Sequence, residues 1–512
     1  MAPSIYNIFI LTCSLIVLMS KCPEALEDRQ APRKFPEGFL FGAATSSYQV
    51  EGGWNANGKV ESVWDYYIHK NPETIKDFSN GDVAADSYNQ YKRDVEMIRE
   101  LGLDFYRFSI SWPRLLPTSF PDKINEAGVQ YYNNLIDELL KYNIQPMVTL
   151  FHWDLPQKLQ EMGGWVNPHI VDWFTDYVRV VFDNFGDRVK YWITINEPMS
   201  ICHYAYGEAL VAPAVHSPGI AEYICSKNLL LAHAKAFHLY DKVYRPTQNG
   251  NISITIHSFW DEPETVDDIQ IANDSIQFVL GHYAHPIFTK TGGFPKVMID
   301  RIAAKSHEQG FPRSRLPELS SEEIEMIRGS SDFFGLNHYT SRIVRKNQET
   351  IYHVPSYFDD TGAFDYQPDD WIAEASDMFK VTPWGFYKIL MWIKAEYDNP
   401  PIIVTENGFS SRGGLQDDDR VDFFKSYLNA MLDAISDGAN VVGYTAWSLM
   451  DNFEWINGYT ERFGLYEVNY ESSVRTRTPR KSAFLYKNIV RSRALNLEYE
   501  PDTSLMTIDE GH

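Results

Sequence analysis

Residues 191–198 read Tyr-Trp-Ile-Thr-Ile-Asn196-Glu197-Pro, and residues 402–408 read Ile-Ile-Val-Thr-Glu406-Asn-Gly. Each is a short run of β-branched, aromatic and apolar residues that ends in a carboxylate with an amide beside it. Runs of this kind read as strands buried on both faces, as a parallel sheet covered by helices requires. Working outward, six more such runs lie near Phe39–Ala44, Phe105–Ile110, Gln145–Phe151, Ile252–Ser258, Phe333–His338 and Val441–Trp447. Together with Tyr191–Ile195 and Ile402–Thr405 they make eight, the number that closes a (β/α)8 TIM barrel.

The segments between them carry a helical period. Tyr88, Tyr91, Val95, Ile98 and Leu101 recur at three- and four-residue steps, while Lys92, Arg93, Glu96 and Arg99 occupy the other side. That is an amphipathic covering helix. Tyr131, Leu135, Leu139 and Tyr142 repeat the pattern after the second strand, and Trp173, Tyr177 and Val181 repeat it after the third. No linker, repeat or low-complexity tract breaks the alternation, so the chain reads as one α/β domain over residues 30–495 with a tail at 496–512. Pro198–Glu222 and Thr340–Asp377 lack either period and are expected to be long irregular loops on the active face.

A chain of 512 residues that is 44% hydrophobic can bury the core of one large barrel. Its formal charge of −23 repels phosphate backbones and anionic lipid surfaces, so neither nucleic acid nor membrane is expected as a partner. The apolar run Ile8–Met19 is too short to span a bilayer and reads as the heart of a secretory signal peptide, residues 1–25, which implies an extracellular protein. Cys13 and Cys22 leave with that segment, so Cys202 and Cys225 remain either as one disulfide or as two buried thiols. Asn251-Ile-Ser253 and Asn273-Asp-Ser275 fit the acceptor pattern for N-linked glycans. A homodimer is one assembly the sequence allows.

At the C-terminal rim of a barrel, strand ends converge on a common site. A lone glutamate there is most often a helix cap or a solvated loop carboxylate. Here Glu197 and Glu406 arrive from two strands, each with an asparagine beside it. Paired carboxylates across a sugar ring are what glycosidic cleavage requires, one to donate a proton and one to meet the developing oxocarbenium ion. Thirty-one tyrosines and thirteen tryptophans supply flat rings that cover sugar faces, although most serve as core. No metal or cofactor is expected. His307-Glu308 lacks the second histidine of a zinc helix, His233 and His238 are off a shared helical face, and no Gly-rich phosphate loop opens a helix.

From residue 36 to 490 the chain resembles the family 1 glycoside hydrolases, which include β-glucosidases, lactase-type enzymes and myrosinases. Phe39-Leu-Phe-Gly-Ala-Ala-Thr-Ser-Ser-Tyr-Gln49-Val-Glu-Gly-Gly53 is similar to the family's N-terminal signature, and Ile402-Ile-Val-Thr-Glu406-Asn-Gly-Phe409 to its nucleophile signature. Tyr106–Trp112, Phe151-His152-Trp153, Thr194–Pro198, Gly335-Leu-Asn337-His-Tyr339 and Trp447–Trp455 follow in family order. The resemblance implies retaining double displacement on a small-molecule glycoside, with Glu406 as nucleophile, Glu197 as acid/base and carboxyls about 5–5.5 Å apart. It places Arg107 and Tyr339 beside Glu406. It assigns Gln49, His152, Trp153, Asn196, Asn337, Trp447, Glu454 and Trp455 to the sugar, with Phe463 limiting the space beyond the 6-hydroxyl. Glucose fits, and often galactose or fucose.

Two other readings compete. A thioglucosidase of the myrosinase type would need basic residues such as Arg313, Arg315, Arg342 or Lys346 for an aglycone sulfate. Plant myrosinases replace the acid/base glutamate with glutamine, whereas this chain keeps Glu197. A catalytically silent sugar-binding barrel is the other, and such relatives usually lose a catalytic glutamate.

Overall fold

The computed structural model describes residues 31–348 and 354–502, which leaves the expected signal segment outside the described residues. Eight parallel strands close into a barrel: β1 (Leu40–Ala44), β2 (Phe105–Ser109), β3 (Gln145–Phe151), β4 (Tyr191–Asn196), β5 (Asn251–His257), β6 (Phe334–Asn337), β7 (Ile402–Asn407) and β8 (Val441–Trp447). Closure comes from β8 against β1, with Gly443 opposite Leu40 and Trp447 opposite Ala44. All eight expected strands are present, with ends displaced by a residue or two.

Helices cover the outside: α1 (Ser87–Leu101), α2 (Glu126–Lys141), α3 (Ile170–Phe185), α4 (Ala221–Leu239), α5 (His282–Phe288), α6 (Pro383–Glu396), α7 (Asp418–Ser436) and α8 (Lys481–Ser492). Their apolar stripes face the barrel. In α1 the buried apolar residues are Val95, Met97, Ile98 and Leu101, and Gly102 stops the helix in the left-handed conformation that glycine tolerates. The segments that enter and leave the barrel domain meet where Arg33–Lys34 pairs with Ala494–Leu495. Residues 496–502 continue onto the body, since Glu500 pairs with Lys425 at 2.8 Å and Lys481 at 3.2 Å.

The barrel interior is stratified. At the bottom Phe105, Met147, Ile193, Phe333 and Ile403 form an apolar plug. Gly42 is required there, because a Cβ at that position would lie 2.3 Å from the Phe105 ring. Above the plug comes a hydroxyl layer, in which Thr255 Oγ1 donates to Thr405 Oγ1 (3.1 Å) and Thr405 Oγ1 to Asn337 Oδ1 (2.7 Å). Arg107, Asn196 and Asn337 sit on top. The core therefore turns from apolar to polar in the direction of the rim, which delivers a rigid polar platform to the site.

The two long segments are less irregular than their sequence suggests. Ser341–Lys346 and Ala363–Tyr366 form a hairpin that adds Trp260–Pro263 as a third strand. Within 198–222, residues Ser200–Gly207 form a π-helical turn. Cys202 and Cys225 are joined as a disulfide, which ties that turn to α4.

Candidate active site

Glu197 and Glu406 reach the same cavity because of backbone irregularities at their strand ends. Pairing of β4 with β5 shifts register between Ile193 and Asn196, and pairing of β7 with β6 shifts between Val404 and Glu406. Bulges of this kind re-aim a side chain. Glu197 then takes a left-handed backbone, φ 48°, as do Trp153 (φ 71°) and Trp455 (φ 52°). Non-glycine residues held there are strained, and such strain gathers at functional sites.

The two carboxylates have unequal surroundings. Arg107 Nη1 donates to Glu406 Oε1 at 2.5 Å, and the Tyr339 hydroxyl donates to Oε2 at 2.7 Å. Among the described residues no cation forms an ion pair with Glu197, although the charge of Arg107 also acts on it. Asn337 Nδ2 donates to its Oε1 (2.6 Å) and Ser200 Oγ to its Oε2 (2.8 Å). Arg107 also donates from Nη2 to Asn196 Oδ1 (2.6 Å), and Asn337 Nδ2 approaches the same oxygen at 3.2 Å. A continuous chain of contacts thus runs from Glu406 through Arg107, Asn196 and Asn337 to Glu197.

Burial pushes Glu406 up to about 7, against the pull of Arg107 and Tyr339, and the nearby Glu197 adds to the rise. Burial also raises Glu197. Two carboxyls that line one cavity and act on each other's ionisation resist ionising together. The Arg107 ion pair favours the anion on Glu406 and so the proton on Glu197. The Ser200 hydroxyl can rotate to accept when that carboxyl is protonated.

The cavity, about 970 Å³ including space open to solvent, is lined by both glutamates with His152, Trp153, Asn196, Tyr339, Trp447, Glu454, Trp455 and Phe463. Arg107, Gln49 and Asn337 are fully buried behind that surface. Gln49 Nε2 donates to Asn452 Oδ1 (2.8 Å) and Phe453 O (3.0 Å) and meets Glu454 Oε2 at 3.4 Å, so both ends of the expected fork stand together. His152 is held neutral by burial and by Arg107. Its Nε2 accepts from Asn196 Nδ2 at 3.3 Å, and Nδ1 has no protein partner.

Sequence reasoning missed much of the outer wall. Ser200, Tyr204, Val211, His257, Phe259, Ser376, Met378, Phe379, Ile456, Asn457 and Glu461 also line the cavity. Only His257, at the end of β5, carried a positional signal; the others come from loops. None of the four basic residues considered for an aglycone sulfate lines it. Arg315 is buried in an ion pair with both oxygens of Asp360 (2.6 and 2.7 Å), which removes it as the cation for an aglycone sulfate. Arg342 pairs with Asp365 at 2.7 Å and lies over the Phe259 ring at 4.5 Å. Arg313 and Lys346 are exposed. Of the two glycan acceptors, Asn251 is exposed, whereas Asn273 is half-buried in a helix and accepts from Trp392 Nε1 at 3.1 Å.

A family model described as Glycosyl hydrolase family 1 matches residues 31–495. Myrosinase 1 of Brevicoryne brassicae is 45% identical over 462 residues, 89% of this chain and 98% of its own length. The cytosolic β-glucosidase of Homo sapiens is 42% identical over 467 residues, 90% of this chain and 99% of its own. Among solved structures, a rice β-glucosidase mutant in a covalent complex with Glc superposes with a TM-score of 0.84 at 36% identity, over 88% of this chain and 98% of that one. With the closed eight-stranded barrel and the paired rim glutamates, these matches establish that the chain belongs to glycosyl hydrolase family 1.

Proposed function

We propose that this glycoside hydrolase is a retaining β-glucosidase of neutral, largely apolar aglycones, in which Glu406 is the nucleophile and Glu197 the acid/base. The observation that carries the assignment is the asymmetry of the two carboxylates: one is ion-paired, the other holds only neutral donors.

Glu406 attacks the anomeric carbon while Glu197 gives its proton to the departing aglycone oxygen, so the glycosidic bond breaks as a glycosyl ester forms. Esterification removes the negative charge on Glu406, and Glu197 then ionises more readily. It takes a proton from water, which attacks the anomeric carbon and releases Glu406. Two inversions leave the configuration retained. The rice relative's covalent complex with Glc supports an intermediate of this kind. His152, Asn196, Trp447 and Glu454, with Gln49 beside Glu454, hold the sugar hydroxyls, and Trp455 and Phe463 close around the ring.

The leaving group lies against Tyr204, Val211, Phe259, Met378 and Ile456. The ionised Glu406 gives the cavity negative potential, and among the described residues no lysine or arginine lines it to offset that charge. An anionic aglycone is disfavoured by that field. Likeness to a myrosinase keeps the thioglucosidase as a second reading, with Arg342 as its sulfate partner because its guanidinium covers Phe259. Comparing an aryl β-glucoside with a glucosinolate tests this. The expected kcat/KM ratio favours the aryl glucoside on the order of 100-fold, and turnover of the glucosinolate alone would reject the assignment.

The Ile8–Met19 run, the exposed Asn251 and the Cys202–Cys225 pairing support a secreted, glycosylated protein. N-terminal sequencing of material from culture medium is expected to begin between residues 23 and 30.

A further inference from the structure

The segment after β4 holds a second cluster of titratable groups that takes no part in hydrolysis. His203 belongs to the π-helical turn Ser200–Gly207, Glu208 follows it, and Glu222 lies in the first turn of α4. One ligand atom from each lies within 4.8 Å of the others. His203 and Glu222 are 2% and 1% exposed, and Glu208 is half-exposed, so the cluster has a path to solvent.

The imidazole is the feature that calls for a ligand. Its Nδ1 is buried with no hydrogen-bond partner, and buried polar groups left so are rare. It stands 4.0 Å from Glu222 Oε1, too far for a hydrogen bond and wider by about half an ångström than the roughly 3.4 Å between two ligands of a tetrahedral zinc ion. Glu222 accepts from the backbone N–H of Gly219 (2.8 Å) and of Ile220 (3.1 Å), one on each oxygen, which fixes the carboxylate and leaves each oxygen a lone pair. Among the described residues neither Glu208 nor Glu222 forms an ion pair with lysine or arginine. Arg315, whose charge acts on Glu222, is already committed to Asp360 and the Gly219 carbonyl.

We propose that His203, Glu208 and Glu222 bind a divalent transition-metal cation of the zinc type. One imidazole with two carboxylates and room for water suits Zn²⁺ or Co²⁺, whereas Mg²⁺ and Ca²⁺ favour all-oxygen shells. Burial holds His203 neutral, lowered to about 4, so its lone pair is free at neutral pH. Burial also pushes Glu222 up to about 7, a rise that a bound dication reverses. The ligands bracket Tyr204 and Val211, two residues of the cavity wall, so an occupied site fixes the leaving-group side of the pocket.

Full-length enzyme stripped with a chelator is titrated with Zn²⁺ by calorimetry and with Co²⁺ by visible absorption. One equivalent per chain is expected, with His203→Asn and Glu208→Gln each weakening Zn²⁺ at least tenfold and removing the Co²⁺ band. Circular dichroism and turnover of an aryl glucoside check that both variants are folded. Glu208 is half-exposed, which keeps the test valid if the buried histidine variant fails to fold. Absence of stoichiometric binding, an affinity in both variants unchanged from that of the unmodified protein, or binding lost only in Glu406→Gln would overturn the site. So would a crystal grown with Zn²⁺ that shows water alone between His203 and Glu222.

Discussion

The two halves of the cavity are built by different means. The inner half is carried by strand ends: Arg107, Asn196, Asn337 and Glu406 belong to β2, β4, β6 and β7, and they hydrogen-bond to one another. The outer half is carried by loops, with Tyr204, Phe259, Met378 and Ile456 in contact with the cavity but not drawn into that network. The barrel therefore fixes the chemistry, and the loops set what leaves. Substitutions in the inner half should change kcat, and those in the outer half should change KM with the aglycone.

The sharpest break is Glu406→Gln, which removes the nucleophile and is expected to lower kcat on the order of 10⁴-fold or more for every glycoside, by initial rates. Glu197→Ala comes next. Loss of general acid catalysis is expected to cost about 10²–10⁴ in kcat/KM for a poorly acidic leaving group and far less for an activated nitrophenyl one. Equal losses on both would mean that Glu197 does not protonate the aglycone.

The pH profile probes the network behind the pair. Activity requires Glu406 ionised and Glu197 protonated, so the rate falls in acid as Glu406 takes a proton and in base as Glu197 loses one. Tyr339→Phe removes a donor that favours the Glu406 anion. The acid limb then moves to higher pH, and the loss of kcat/KM at pH 6 exceeds that at pH 8. An unmoved acid limb would detach Tyr339 from the nucleophile.

The outer wall gives the smallest effect. Phe259→Ala is expected to raise KM for an aryl glucoside by roughly tenfold, from an aromatic contact of about 0.5–1.5 kcal/mol beyond its area. A methyl glucoside serves as control, with little change.

The same division explains what could be read from the chain. Each of the eight strands announced itself by a run such as Ile402–Thr405, and the rim residues followed because a strand end fixes its side chain in space. The bulges that turn Glu197 and Glu406 toward one another leave no mark in a run of apolar residues, since they arise from pairing with β5 and β6. Tyr204, Phe259 and Met378 have no period to betray them. Arg315 reads as a candidate sulfate partner because its own partner Asp360 lies 45 residues away. The hairpin Ser341–Lys346 with Ala363–Tyr366 reads as irregular because most of its residues are only partly buried or exposed, which dilutes the apolar signal.

A slowly hydrolysed 2-deoxy-2-fluoro glucoside with an activated leaving group offers the most direct measurement. The fluorine destabilises the oxocarbenium-like transition states, so the glycosyl-enzyme accumulates and can be located by peptide mass spectrometry. One 2-deoxy-2-fluoroglucosyl adduct on the peptide that contains Glu406 is expected. An adduct on Glu197, or release of a product with inverted configuration and no adduct, would contradict the roles given to the two carboxylates.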